Sequence, residues 1–237
     1  EVASIGNRVA HADARTACDI VSLDRRWSQT VQGEGAQGGV VPGALFAPVQ
    51  MTLYFAPGPG FGGSCLPKDV GALIALGTDL GLEVPVGRAV LETNSGRAAD
   101  LVRRIQEEVG SLRGRRVTLL GLTFKPNTDD VRSTPARAVA VELSQAGAQL
   151  ALHDPVAGQE FFDLLPSQVR ENAELKPLLE DAVGHCDLVV LTAPWGDYEQ
   201  VPFLVDPMTI VVDCRGAFGE WSESLGKRYV DPFRSRQ

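Results

Sequence analysis

Ten consecutive residues, Gly60-Phe61-Gly62-Gly63-Ser64-Cys65-Leu66-Pro67-Lys68-Asp69, gather more reactive chemistry than any other stretch of the 237-residue sequence. Glycine lets main chain approach a ligand closely, so Gly60, Phe61 and Gly62 are candidate substrate contacts. Pro67 and Asp69 favour a helix start just after Cys65. The exposed N–H groups of a helix N-terminus stabilise a thiolate or an oxyanion. Asp69, four residues beyond Cys65, can take a proton or position a water. The pattern is that of a cysteine nucleophile with an assisting carboxylate. On spacing alone it reads equally well as an ordinary glycine-rich loop in which Cys65 is a small buried hydrophobe.

A second segment runs Gly121-Leu122-Thr123-Phe124-Lys125-Pro126-Asn127-Thr128-Asp129-Asp130-Val131-Arg132. It directly follows an apolar run that reads as a strand, the place where a dinucleotide fingerprint would stand. Its sequence is not Gly-x-Gly-x-x-Gly, so no standard dinucleotide site is expected there. Lys125 and Arg132 can meet phosphate or sugar oxygens, while Asp129 and Asp130 can cap the helix that follows. Taken alone, this too reads as a charged surface loop with caps.

The elements that position these residues divide the chain in two. Residues 1–23 show helical spacing, and Gly, Pro, Ala and Gln dominate 32–59, a long loop. Helices are expected from Pro67 to Gly81 and, as one long element, over 86–110. That long helix has an apolar stripe suited to a dimer seam. After Leu112-Arg113-Gly114-Arg115-Arg116, strands alternate with helices, the signature of a parallel sheet with crossovers. Strands are expected at 117–122, 150–153, 188–192, 210–213 and 227–230, with helices near 134–146 and 174–184. Ligands in such sheets sit beyond the carboxyl ends of the strands. The predicted organisation is α/β, with domains at 1–112 and 113–237.

Both motifs resemble those of the UDP-glucose/GDP-mannose dehydrogenase family, whose loop Gly-Phe-Gly-Gly-Ser-Cys-x-Pro-Lys-Asp is matched without a gap. Asp154-Pro155 and Asp213-Cys214-Arg215-Gly216 match further landmarks. The resemblance implies a helical central dimerisation domain with the Cys65 loop, followed by a Rossmann-like nucleotide-sugar-binding domain. It implies an NAD-dependent two-step oxidation of UDP-glucose to UDP-glucuronate through a thiohemiacetal and a thioester. Cys65 then matches the nucleophile and Asp69 its assisting carboxylate. Phe124, Lys125 and Arg215 match substrate-facing positions, and Arg132 one that approaches cofactor phosphates. GDP-mannose and UDP-N-acetyl sugars are the alternative substrates. A non-catalytic nucleotide-sugar-binding module is the rival of a different class.

Two departures from the family pattern stand out. The family's N-terminal NAD domain, with its catalytic lysine and asparagine, is expected to lie outside these residues, so the chain alone is expected to be inactive. Leu23-Asp24-Arg25-Arg26 resembles an Asp-x-Arg segment in which Arg26 would reach a neighbouring subunit's substrate, but residues 27–51 then intervene as an insertion.

A formal charge of -8 provides no basic stripe for nucleic acid or anionic membrane. No apolar run reaches the roughly 20 residues a membrane span needs, and the opening residues lack a signal-peptide core, so a cytoplasmic location is expected. Cys18, Cys65, Cys186 and Cys214 form no Cys-x-x-Cys pair, and His11, His153 and His185 are isolated, so no metal site is expected. Cys18, Cys186 and Cys214 read as core residues. Trp195-Gly196-Asp197-Tyr198 reads as loop packing with a substrate-facing edge.

Overall fold

The strands are short, almost wholly apolar runs, as a sheet covered on both faces requires. In the structure, a computed structural model that describes residues 57–233, they are β1 (Arg116–Leu120), β2 (Gln149–His153), β3 (Ala173–Leu175), β4 (Leu188–Leu191), β5 (Ile210–Asp213) and β6 (Tyr229–Val230). All pair in parallel, in the order β3-β2-β1-β4-β5-β6. Val117 of β1 lies opposite Leu150 on one side and Leu188 on the other. This is the doubly wound order, and its reversal between β1 and β4 opens the usual ligand crevice at their carboxyl ends.

Among the described residues, three helices precede the sheet: α1 (Leu66–Asp79), α2 (Pro85–Ser95) and α3 (Arg97–Val109). Glycines let α1 and α2 approach closely, for a β-carbon on Gly77 would fall 2.2 Å from Val84 Cγ2. The single helix expected over 86–110 is broken at Gly96. Glycine is a weak helix former, and Ser95 Oγ donates back to the Glu92 carbonyl at 2.8 Å, which competes with continuation of the helix. The break frees α3 to lay Ala98, Leu101, Val102 and Ile105 into the core. The apolar stripe assigned to a dimer seam is thus consumed internally from residue 97 onward.

Between strands run α4 (Pro135–Gln145), α5 (Gly158–Leu164), α6 (Ser167–Arg170), α7 (Leu179–Val183), α8 (Val201–Leu204) and α9 (Trp221–Leu225). Thr134, not Asp129 or Asp130, caps α4: its Oγ1 accepts from Ala136 N at 3.3 Å, and Pro135 fills the first helical position. The helix expected over 174–184 is instead β3 followed by the short α7. Pro177 disfavours helix at Lys176, and Lys176 N donates to the Leu152 carbonyl at 2.9 Å, extending the pairing with β2. Residues 58–232 form one compact unit. The elements expected in 1–23, the loop from 32 to 56 and Arg26 lie outside the described residues.

β1 stops at Leu120, two residues earlier than its apolar run, because Gly121 turns the chain with φ +78°. A β-carbon there would sit 2.2 Å from the Ala193 carbonyl oxygen. Strain and clash act together, so Gly121→Ala is expected to lower unfolding stability by about 2–4 kcal/mol in urea titration, against under about 0.5 kcal/mol for Gly219→Ala, where space is open.

Candidate active site

The cysteine loop has little regular structure of its own and takes its shape from three other pieces of chain. The side chain of Asn94, on α2, acts as a strand partner for Phe61: Phe61 N donates to Oδ1 at 2.9 Å, and Nδ2 donates to the Phe61 carbonyl at 3.0 Å. Gly60, with φ +119°, brings the chain so close that a β-carbon would meet Asn94 Oδ1 at 2.8 Å. Arg97 Nε, at the start of α3, donates to the Gly58 carbonyl at 2.9 Å. On the other side, Gly63 N donates to the Arg132 carbonyl at 3.1 Å. A β-carbon on Gly62 would lie 2.1 Å from the Ser133 carbonyl oxygen, and one on Gly63 3.1 Å from the Phe124 ring. The two sequence motifs are therefore in direct contact.

Cys65 is exposed and immediately precedes α1, where its carbonyl accepts from Asp69 N at 2.8 Å. Ser64 Oγ lies 3.7 Å from its sulfur. The Asp69 carboxylate is exposed and pairs with Lys68 Nζ at 3.3 Å. Lys125 extends over the Phe124 ring, its Nζ 5.4 Å from the centroid. Arg132 is exposed and forked onto the Asp130 carboxylate through Nε and Nη2, both at 2.9 Å. That hydrogen-bonded pairing raises the Arg132 pKa and holds Asp130 below the usual carboxylate range; the charge on Arg132 also senses Cys65.

Two buried aspartates hold the strand-end loops. Asp154, after β2, accepts from the N–H groups of Leu122 (2.7 Å) and Thr123 (3.2 Å) through one oxygen and from Val156 and Ala157 (both 3.0 Å) through the other. Asp213, ending β5, accepts from Arg215 N (2.9 Å), Gly216 N (2.8 Å), Phe218 N (2.9 Å) and Tyr229 Oη (3.1 Å). Burial raises the Asp213 pKa against these bonds, which favour its charged form. The loop it shapes presents Arg215, whose Nε donates to the Thr192 carbonyl at 3.1 Å. Burial lowers the Arg215 pKa. Gly58 lies against this guanidinium, since a β-carbon there would be 2.9 Å from Nη1.

Trp195 and Tyr198 pack as loop residues. Trp195 Nε1 donates to Thr123 Oγ1 at 3.3 Å; Tyr198 Oη accepts from Gly121 N at 3.0 Å, donates to the His153 carbonyl at 3.1 Å and lies 3.2 Å from His153 Nδ1. Burial raises the tyrosine pKa and lowers the histidine's. Cys186 and Cys214 are buried core residues.

The structure thus brings Gly60, Phe61, Gly62, Cys65, Asp69, Phe124, Lys125, Arg132 and Arg215 to one region at the carboxyl ends of the strands. Arg26 lies outside the described residues. Sequence reasoning missed Asn94 and Arg97, whose only signal is a polar pair inside an apolar helical pattern. Gly58, Gly60 and Gly63 happen to have Gly-x-Gly-x-x-Gly spacing, yet each is committed to a protein neighbour: Arg215, Asn94 and Phe124. At the switch point itself Asp154 occupies the Leu122 and Thr123 amides and Ala193 lies against Gly121. Among the described residues no group of His, Cys, Asp or Glu could hold a metal, and no helix is long and apolar enough to cross a membrane.

This arrangement of a doubly wound domain, a cysteine loop and basic strand-end side chains has counterparts among known proteins. Residues 40–96 match the central-domain model of the UDP-glucose/GDP-mannose dehydrogenase family and residues 118–220 its UDP-binding-domain model. The chain belongs to this family of oxidoreductases. It is 34% identical over 170 residues to UDP-glucose 6-dehydrogenase TuaD of Bacillus subtilis (strain 168), covering 70% of this chain and 36% of that protein. Over 149 residues it is 34% identical to UDP-glucose 6-dehydrogenase YwqF of the same organism, with coverages of 63% and 33%. A UDP-glucose dehydrogenase from Pyrobaculum islandicum superposes with a TM-score of 0.72 at 31% identity, covering 98% of this chain and 46% of that one. The chain spans about a third of the length of these curated relatives.

Removing the Asn94 side chain deletes both bonds to Phe61. Asn94→Ala is expected to speed hydrogen exchange at the Phe61 amide at least tenfold, matching about 1.5 kcal/mol of lost protection, while the β1 amides keep theirs.

Proposed function

We propose that this chain supplies the cysteine loop and the nucleotide-sugar site of a UDP-glucose 6-dehydrogenase. The observation that carries this reading is the direct packing of the Cys65 loop on the Phe124 and Arg132 segment, which puts a nucleophile beside cations at the strand ends. The identity of about a third to two UDP-glucose 6-dehydrogenases favours UDP-glucose over GDP-mannose or a UDP-N-acetyl sugar. A domain boundary near residue 112 belongs to the same reading and is supported by family matches on either side of it.

In this mechanism Lys125 and Arg215 hold oxygens of the nucleotide sugar, and the glycine loop lets the sugar carbon C6 reach Cys65. Once C6 is an aldehyde, the Cys65 thiolate attacks it, forming a C–S bond and a thiohemiacetal. The thiohemiacetal then gives up its hydroxyl proton to solvent and a hydride from C6, the second that NAD would accept, leaving a thioester. Water then adds to the thioester carbonyl, the C–S bond breaks, and the thiolate returns as the carboxylate product forms. Asp69 positions that water or takes its proton. The α1 N-terminus stabilises negative charge on sulfur and oxygen during these steps. NAD, the oxidant of the family, would accept the two hydrides, and Arg132 is the residue of this chain that would approach its phosphates.

A homodimer is part of the proposal. Its surface is the apolar face of α1, α2 and the turn between them, where Leu73, Leu76, Leu80, Leu82, Val86 and Val90 are exposed. Light scattering on Leu76→Arg/Leu80→Arg is expected to give half the mass of the unaltered chain; a monomeric mass for the unaltered chain sinks the dimer.

Calorimetric titration with UDP-glucose, UDP-N-acetylglucosamine and GDP-mannose tests the substrate. UDP-glucose is expected to bind best, with Lys125→Ala and Arg215→Ala each losing about tenfold, or about 1.4 kcal/mol. Bound UDP-glucose is also expected to shield Cys65 from iodoacetamide. Binding without shielding would separate the nucleotide-sugar site from the cysteine and remove the catalytic reading, leaving a non-catalytic binding module.

A further inference from the structure

The opposite end of the sheet carries a cluster of charge that the proposed reaction does not use. The turn Arg113-Gly114-Arg115-Arg116 leads into β1, and across a crevice of about 650 Å3 it faces Cys186-Asp187, entering β4, and Asp206 to Ile210, entering β5. Three arginines and two aspartates are among the residues that line this crevice, in a chain whose formal charge is -8. Asp187 is already engaged, accepting from Arg116 N at 2.8 Å with Arg116 Nε at 3.9 Å. Arg115 Nη2 donates to the Val109 carbonyl at 2.9 Å, which anchors its guanidinium. The exposed Arg113 side chain makes no hydrogen bond or ion pair among the described residues. Arg228 brings a fourth guanidinium to the rim, its Nη1 3.3 Å from the Asp206 carbonyl and 3.4 Å from that of Thr209. Pro207 and Met208, the latter 86% exposed, form an apolar shelf alongside.

Guanidinium groups present planar forks of donors that match phosphate oxygens in pairs. Several of them spread along one crevice fit a ligand with more than one phosphate better than a single carboxylate, which would leave most of the forks unmatched. The volume lies within the roughly 300–1,000 Å3 of small-molecule sites. We propose that the crevice between the Arg113–Arg116 turn and the Asp206–Ile210 segment binds a small molecule bearing two or more linked phosphates, with Pro207 and Met208 covering its remaining part. The site is at the amino ends of β1, β4 and β5, about 16 Å of strand away from the cysteine-loop end, so the two sites do not share ligand-binding atoms.

The chain has two methionines, Met51 and Met208, which makes Met208 a local reporter. Methyl-labelled methionine gives two NMR signals, assigned by Met208→Leu. The full chain is titrated with inorganic pyrophosphate, ADP and ATP. A saturable shift of the Met208 signal is expected, weakened at least tenfold in Arg113→Ala/Arg116→Ala and kept in Arg215→Ala. A response to pyrophosphate supports recognition through phosphates alone, and a response to the nucleotides only supports a contribution from the apolar shelf. No shift at millimolar ligand, an undiminished affinity in the double variant with an unchanged unfolding midpoint, or loss of the response in Arg215→Ala overturns the proposal.

Discussion

The closeness of two main-chain segments is the constraint on which the rest of the site depends. Residues 62–63 and 132–133 meet closely: the Ser133 carbonyl occupies the place of a β-carbon on Gly62, and the Arg132 carbonyl accepts the Gly63 amide. The glycines of the motif therefore serve close packing of protein against protein. Gly62 and Gly63 are spent on this packing, and Gly60 bends the chain onto Asn94. What remains open to a ligand is the outer edge of the loop, where Cys65 stands at the entrance to α1.

Behind that contact is a chain of support that runs into the sheet. Asp154 fixes the Leu122 and Thr123 amides, the Asp130 carbonyl accepts from Phe124 N, and Thr134 starts α4. Trp195 and Tyr198 reach across from the β4 loop to brace the same turn. The switch point of a doubly wound sheet is ordinarily a place for ligand phosphates. Here the Leu122 and Thr123 amides are satisfied by Asp154, and the longer side chains Lys125, Arg132 and Arg215 stand farther out in the surrounding loops.

Much of this was legible because it depends on short-range sequence signals. The parallel sheet announced itself through apolar runs such as Leu188-Val189-Val190-Leu191, and both motifs carry residue types that name their chemistry. The failures share a physical cause, the override of local preference by tertiary contacts. Ala173-Glu174-Leu175 has good helix formers but is drawn into pairing with β2. The stripe over 86–110 has helical period throughout, and periodicity does not register that Gly96 divides it. Asn94 was invisible because its role depends on a partner 33 residues earlier in the chain.

Asn94 also bears on whether the ten-residue cysteine segment could be treated as a unit. Its shape is supplied by an amide on α2, by the arginine that opens α3 and by the carbonyl of Arg132 beyond β1. Grafted onto another scaffold, the segment would arrive with its cysteine and its glycines but without the three frames that tell them where to stand. Portability would require moving pieces from three separate stretches of chain together, the loop, residues 94–97 and residues 132–133, which amounts to moving the fold.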